Sequence, residues 1–332
     1  MNKSPFGFVV VCLVLLALYP LVGGEYGLGL VAKTMIYAIA ALSLELLVGT
    51  TGLVCFGQAA FFGIGAYAAV LLSGQGEAPS LFWLMPASML VAGLYALLVG
   101  ALSLRTRGVY FIMVTLAFAQ MAFFVVHDTP LGGGTDGIYL NVMPTLAFGL
   151  DAADPLTRYF LVLLCLSGVL ALLAQLLRSR YGHALAGIRV NEQRMRATGF
   201  STYPYKLAAF SLSGLIAGLA GFLFALQDGF VNPELLSWHL SGSLLIMIIL
   251  GGIGHLRGAL IGAFAFAMLQ EFFQSDAIFG DHAKHWHLGL GLTIIVSVAL
   301  LPKGLVGVPQ LVVNRIFGRS PNAVREQTYE RH

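Results

Sequence analysis

Residues 178–206 read RSRYGHALAGIRVNEQRMRATGFSTYPYK, a basic and polar island between two long apolar segments. Six of its side chains are Lys or Arg (Arg178, Arg180, Arg189, Arg194, Arg196, Lys206) and one, Glu192, is acidic. Around the island the 332-residue chain is 58% hydrophobic and 10% charged, against about 25% charged in an average soluble domain. Mean hydropathy is +0.86. The chain therefore reads as an integral membrane protein with little soluble mass, and what the island presents itself to decides the function. Glycine, at 40 residues, is abundant, as where transmembrane helices pack closely. The net charge of +3 carries little by itself. Cys12, Cys55 and Cys165 lie far apart in apolar segments, so neither a disulfide nor a metal site is read from them. Lys3 and the apolar run 8–22 mimic a signal peptide. No small-x-small cleavage pattern follows at Val22-Gly23-Gly24-Glu25, and a retained first span is expected.

A bilayer core of about 30 Å needs roughly 20 apolar residues per helix. Candidate spans are 8–22, 28–48, 53–73, 81–103, 109–127, 157–177, 206–227, 238–254, 258–274 and 288–301. The fold class is thus all-α, a polytopic helical bundle of about ten membrane segments. The short or glycine-interrupted segments 53–73, 238–254 and 258–274 are expected to be broken or re-entrant, which is tolerated where backbone is buried in protein or lines a cavity. Ten crossings put both termini on one side. On that side fall 15 of the 18 Lys/Arg residues, whereas the opposite face holds Arg158 and Lys284, with Lys33 inside a span near it. Ten of the 15 acids fall on the opposite face. Counting Lys and Arg places both termini in the cytoplasm. The organisation that follows is a transmembrane domain over 1–307, with a cytoplasmic loop at 178–206, an external loop at 128–156 and a cytoplasmic tail at 308–332.

Within the island, residues 183–198 read as one short amphipathic helix, with Leu185, Ile188 and Met195 on one face. Arg189–Glu192 and Glu192–Arg196 are spaced to pair along another. Gly199 suits the left-handed position that ends a helix, with Phe200 after it. Two readings stand at this point: an interfacial helix lying on anionic lipid, and a rigid docking helix for a soluble partner.

The run GHALAGIRVNEQRMRATG at 182–199 resembles the coupling loop of ABC-importer permeases, in the version of the LivM-type permeases of branched-chain amino acid uptake systems. Arg189, Glu192, Gly199 and Tyr205-Lys206-Leu207 fit that pattern; Arg194 and Met195 replace its alanine pair. GLVCFGQAAFFGIGAY at 52–67 is similar to the family's third segment, with Cys55 for the usual serine. LRTRGVYF at 104–111 leading to TLAFAQ at 115–120 also matches, with Gln120 for the usual glutamate. GGTDG at 133–137 resembles the external-loop signature. GGIG at 251–254 with Gly258 and Gly262 resembles the late glycine motif, with Ala259 where proline is common. PKGL at 302–305 resembles the closing motif. The resemblance covers roughly 30–307. It implies a heteromeric importer in a bacterial inner membrane: a second, related permease subunit, two cytoplasmic ATP-binding subunits docked on the coupling loops, and an extracytoplasmic substrate-binding protein. ATP would be used by the partner subunits, with no cofactor bound by this chain. Arg189, Glu192, Arg194, Arg196 and Gly199 would be the ATPase-coupling residues.

The chain carries no G-x-x-x-x-G-K-[ST] loop and no zinc-protease or nucleophile-elbow motif, so no enzyme is read and nucleotide is expected elsewhere. Nothing points to nucleic acid. His282, His285 and His287 near Asp281 read as a solvated loop rather than a metal site. Glu45, Gln58, Gln120, Gln227, Gln270 and Glu271 lie in or at the ends of spans, where polar groups face the protein interior or water. Gln58 and Thr115, then Gln120 and Glu45, are the candidate pathway residues. Asp136 and Asp154, in the outer loop, either satisfy their turns locally or meet the binding protein. The function read is transport of branched-chain or related small amino acids, with urea or short amides as an alternative cargo. An ion-coupled secondary transporter using Glu45 and Glu271 is the rival class.

Overall fold

Two 27-residue helical stretches organise the molecule, a computed structural model that describes residues 4–21, 24–74, 79–140, 142–145, 154–275, 286–301 and 304–307. The first is α2 (Glu25–Glu45), continued by a π-helical turn over Leu46–Thr51. The second is α9 (Thr202–Asp228). Both are mostly buried. Each stops at a glycine in the left-handed region, Gly52 (φ 73°, ψ 15°) and Gly229 (φ 66°, ψ 7°), a conformation costly for any residue with a Cβ. After each glycine the chain runs without α-helix, over 52–57 and 229–237, before a short helix begins: α3 (Gln58–Ser73) and α10 (Trp238–Gly251).

The other apolar helices are α1 (Ser4–Leu18), α4 (Leu81–Ser103), α5 (Val109–Asp128), α6 (Pro155–Arg178), α11 (Leu256–Gln274) and α12 (Trp286–Leu300). Among the described residues, six are long and apolar enough to cross a membrane: α2 with its π turn, α4, α5, α6, α9 and α11. With the shorter α1, α3, α10 and α12, the segments sit where hydropathy places them. The break expected in 53–73 is real, since helix starts only at Gln58. The break expected in 258–274 is not: α11 is continuous from Leu256 to Gln274. Its glycines serve close approach instead. A Cβ at Gly262 would overlap the carbonyl of Met247, and one at Gly258 that of Gly252.

Non-helical backbone at membrane depth must find partners within the protein. The amide of Phe56 donates to Thr115 Oγ1 (3.4 Å), that of Gly57 to Cys55 Sγ (3.3 Å) and that of Ala59 to Ser241 Oγ (3.0 Å). Packing rather than water exclusion holds helices together in lipid. Here it centres on Phe210 of α9, edge-on to Phe61 of α3 (5.5 Å) and Phe111 of α5 (6.2 Å). Such pairs add about 0.5–1.5 kcal/mol each beyond their buried area.

Cross-helix contacts sort the segment ends. The C-terminal ends of α2 and α4, the N-terminal end of α9 and the α10–α11 turn share one end, tied by Tyr203 Oη to the Ala101 carbonyl and by Glu45 to Gly254. At the other end Lys33 of α2 meets Asp228 of α9 at 2.9 Å. Tyr26 there donates to Glu271 at 2.7 Å, and Arg158 of α6 caps α9 through the carbonyls of Leu226 and Gln227. The same end carries β1 (Ile138–Tyr139), antiparallel to β2 (Phe230–Val231). α2 and α9 thus run antiparallel.

Candidate functional site

The island folds as two helices, α7 (Arg180–Val190) and α8 (Glu192–Ala197), not as the single helix expected over 183–198. Asn191 is extended (φ −158°, ψ 97°) and its Oδ1 accepts the Arg194 amide at 2.9 Å. An asparagine that can bond nearby backbone competes with helix continuation and favours a cap. Leu185 and Ile188 are buried, and Met195 lies over Gly187. Asn191→Ala is expected to cost about 1 kcal/mol, read as faster amide exchange confined to α8.

Glu192 is the hub. Lys206 Nζ donates to Oε2 at 2.7 Å; Arg196 and the Thr202 hydroxyl donate to Oε1 at 2.7 and 2.9 Å. Arg196 Nε also reaches Thr202 Oγ1 at 3.1 Å. Partial burial alone would raise the Glu192 carboxyl; the hydrogen bonds from Lys206, Thr202 and Arg196 outweigh it and hold the group down at about 2. α8 closes on Gly199 (φ 88°), with the Phe200 amide donating to the Met195 carbonyl (3.1 Å) and the Gly199 amide to that of Arg196 (3.0 Å). This is the paired bonding of a Schellman end. The outer surface of the element is open: Arg194, Gly199 and Phe200 are exposed, and Val190 is 85% exposed.

Arg189 does not pair with Glu192. It reaches across to the π turn and donates to the Gly49 carbonyl, beside Gly52. One helical turn before Gly49, Glu45 is 3% exposed, and its Oε1 accepts the Gly254 amide at 2.6 Å. Among the described residues its Oε2 has no hydrogen-bond partner. A Cβ at Gly49 would overlap this carboxylate. The α7 end, the π turn and the α10–α11 turn therefore meet at one place.

At mid-depth Gln58 is fully buried; its amide donates to Ser43 Oγ (2.6 Å) and Ser213 Oγ (3.1 Å), joining α2, α3 and α9. Thr115 is also fully buried, bonded to the Phe56 amide and the Ile112 carbonyl. Gln120 is half-buried on α5. At the far end Asp136 is exposed in a 3-10 turn, within 3.4 Å of the Thr135 hydroxyl. Asp154 caps α6, accepting from the Leu156 and Thr157 amides and from Thr157 Oγ1 at 3.0 Å. Asp154→Ala is expected to destabilise α6 by about 1 kcal/mol, and Asp154→Ser by less, measurable as a shift in detergent melting temperature. The Lys33–Asp228 pair and the Arg158 cap escaped the residue reading. The signal available was two opposite charges near the same end of their spans. Among the described residues no three His, Cys, Asp or Glu groups gather as a metal site. His282, His285, Asp281, Lys284, the Pro302-Lys303 part of the closing motif and the tail 308–332 lie outside the described residues.

The family model "Branched-chain amino acid transport system / permease component" matches residues 27–299. The chain is 32% identical to the high-affinity branched-chain amino acid transport system permease protein LivM of Escherichia coli, over 92% of this chain and 76% of that protein. It is 31% identical to LivM of Salmonella typhimurium over the same shares. It is 26% identical to a probable branched-chain amino acid transport permease protein LivH of Methanocaldococcus jannaschii, over 88% of this chain and 95% of the relative. No solved structure matches. A bundle that, among the described residues, has six long and four shorter apolar helices and an ordered basic element at one end fits a membrane permease, and the chain belongs to the branched-chain amino acid transport permease family.

Proposed function

We propose that this chain forms half of the translocation pathway of an ATP-driven importer for branched-chain or related small amino acids. The observation that carries the reading is the α7–α8 element. It is capped at both ends and clamped on α9 through Glu192 and Lys206, yet it keeps an open outer surface at Val190, Arg194 and Gly199. A lipid-surface helix needs no such clamp. In this reading the basic end is cytoplasmic, both termini lie there, and the membrane is a bacterial inner membrane. Two ATP-binding subunits dock on α7–α8 of this chain and of a second, related permease, and those subunits bind and hydrolyse the ATP. An extracytoplasmic binding protein meets the loop carrying Asp136 and Asp154.

Motion at the docking surface has a short route inward. Arg189 passes it to Gly49, and Glu45 passes it to the α10–α11 turn. The Gln58 network joins α2, α3 and α9 as one body, beside which the pathway, with Thr115 and Gln120 near it, opens and closes. Glu45 is bonded to backbone and Glu271 to Tyr26; such anchoring favours structural roles over ion coupling.

The test is purification from native membranes in mild detergent, wild type against Glu192→Ala/Gly199→Pro, with mass spectrometry of co-eluting chains. An ATPase is expected with the wild type and absent with the variant. A chain that purifies alone, yet moves solute in liposomes under an ion gradient, would overturn the proposal.

A further inference from the structure

Trp238 and His239 open α10, and both side chains are exposed, Trp238 by 50%. Their depth is fixed from both sides. Ser241, two residues on, accepts the amide of Ala59 in the first turn of α3, and Leu236, three residues earlier, packs against Gly63 of α3. The start of α3 is in turn pinned to Ser213 of α9. Ser213 lies about 17 Å from one end of α9 and about 23 Å from the other at 1.5 Å per residue. His239 therefore sits near the middle of a hydrocarbon core of about 30 Å.

An exposed imidazole is costly against lipid at this depth, and polar or ionisable groups in spans face the bundle interior or a water-filled cavity. The rest of the same helix face agrees. Three, four and seven residues beyond His239 stand Gly242, Ser243 and Ile246, one stripe along α10. Each is part-exposed, while Ser241, Leu244, Met247 and Ile248 on the other side are buried. A Cβ added at Gly242 meets nothing within 4 Å, so space opens in front of the stripe. α10 bonds α3 at its head and approaches Glu45 at its foot through Gly254.

We infer that the α10 face His239–Gly242–Ser243–Ile246 lines the solute path, His239 being a specificity-determining contact for the polar head of a small zwitterion and Trp238 with Ile246 the surface for its branched apolar side chain. This rests on the importer reading above and adds where the solute passes. An imidazole and a hydroxyl offer a small solute hydrogen-bonding groups in place of a carboxylate or an ammonium. That suits a path that must release what it admits.

The experiment uses the whole importer in proteoliposomes, with Cys12 and Cys165 replaced by Ala and the fully buried Cys55 kept. His239→Cys is expected to react with a membrane-impermeant methanethiosulfonate, and leucine supplied with the binding protein is expected to slow that reaction. Gly242→Phe is expected to lower leucine uptake by about tenfold or more while the partner subunits still co-purify, because a bulky side chain then obstructs the path. No labelling of His239→Cys, or uptake unchanged by Gly242→Phe, overturns the inference and leaves the importer reading intact. Loss of the second permease in Gly242→Phe also overturns it, assigning the face to subunit packing. Absence of leucine uptake by the unmodified assembly counts against the importer reading itself.

Discussion

On the importer reading proposed above, Glu192→Gln is expected to leave insertion and assembly of the membrane subunits intact but to lower import by about tenfold or more while the ATP-binding subunits continue to turn over. Glu192 holds Lys206, Arg196 and Thr202 on one carboxylate. The pair with Lys206 is largely shielded, with side-chain exposures of 23% and 12%. Removing one partner of a shielded pair leaves the other without compensation, and costs more than the pair contributes. Lys206→Gln should therefore do comparable damage. The Glu192→Gln/Lys206→Gln double variant should recover part of the loss, with a coupling energy of about 1–3 kcal/mol. Import and ATP hydrolysis, measured on one proteoliposome preparation, check this; equal and additive losses would show that the clamp is not what joins α8 to α9. The sign of any pH effect follows from the depressed carboxyl. Its contribution is complete above the ordinary value of 4.5 and is lost as pH falls through about 2. Amide protection in α8 should thus be unchanged between neutral pH and 4.5.

Gly221→Ala is expected to be still more damaging, acting on folding rather than coupling. α9 crosses α3 so closely that a Cβ at Gly221 would overlap the carbonyl oxygen of Phe62 and sit 2.8 Å from the Ala66 amide nitrogen. Both are backbone atoms, so no rotamer change relieves the overlap, and the helices must separate. Overpacking of this kind costs about 1–3 kcal/mol or more. It would also part Gln58 from Ser213, which crosses the same seam. Gly168→Ala is the control, since a Cβ there meets nothing within 4 Å. Detergent melting curves should show a large drop for Gly221→Ala and none for Gly168→Ala.

Most of the architecture was legible from hydropathy and charge. The span 81–103 coincides with α4, and among the described residues the C-terminal ends of α2 and α4, the N-terminal end of α9 and the α10–α11 turn share one end, as alternating spans require. The short-range features of the island were legible too. Glu192–Arg196 lies one helical turn apart, and the Gly199 ending follows from residue type alone. What escaped was set by distance along the chain. Lys206 is 14 residues from Glu192, Gly254 is 209 from Glu45, and Asp228 is 195 from Lys33. No periodicity carries such pairs. The break at Asn191 was readable in principle, since asparagine caps as readily as it continues a helix. The apolar periodicity across it favoured one helix instead. The fate of Gln58 and Thr115 was hidden for another reason: a neutral polar residue in a span serves buried bonding or a water-filled path equally well, and only the positions of Ser43, Ser213 and Phe56 decide which bonds form.

The way residues 56–59 are satisfied constrains how the molecule is made. A full-length span leaves the translocon with its backbone already bonded and can rest in lipid alone. The segment around α3 cannot, because the acceptors for its amides at positions 56 and 59 belong to residues 115 and 241. Chain emerging from the ribosome must be extended by roughly another 180 residues before the last of these reaches the membrane. Until then this early segment is expected to stay against protein or water rather than lipid. Biogenesis is thus expected to be non-sequential, with α3 inserted early and its amides satisfied late.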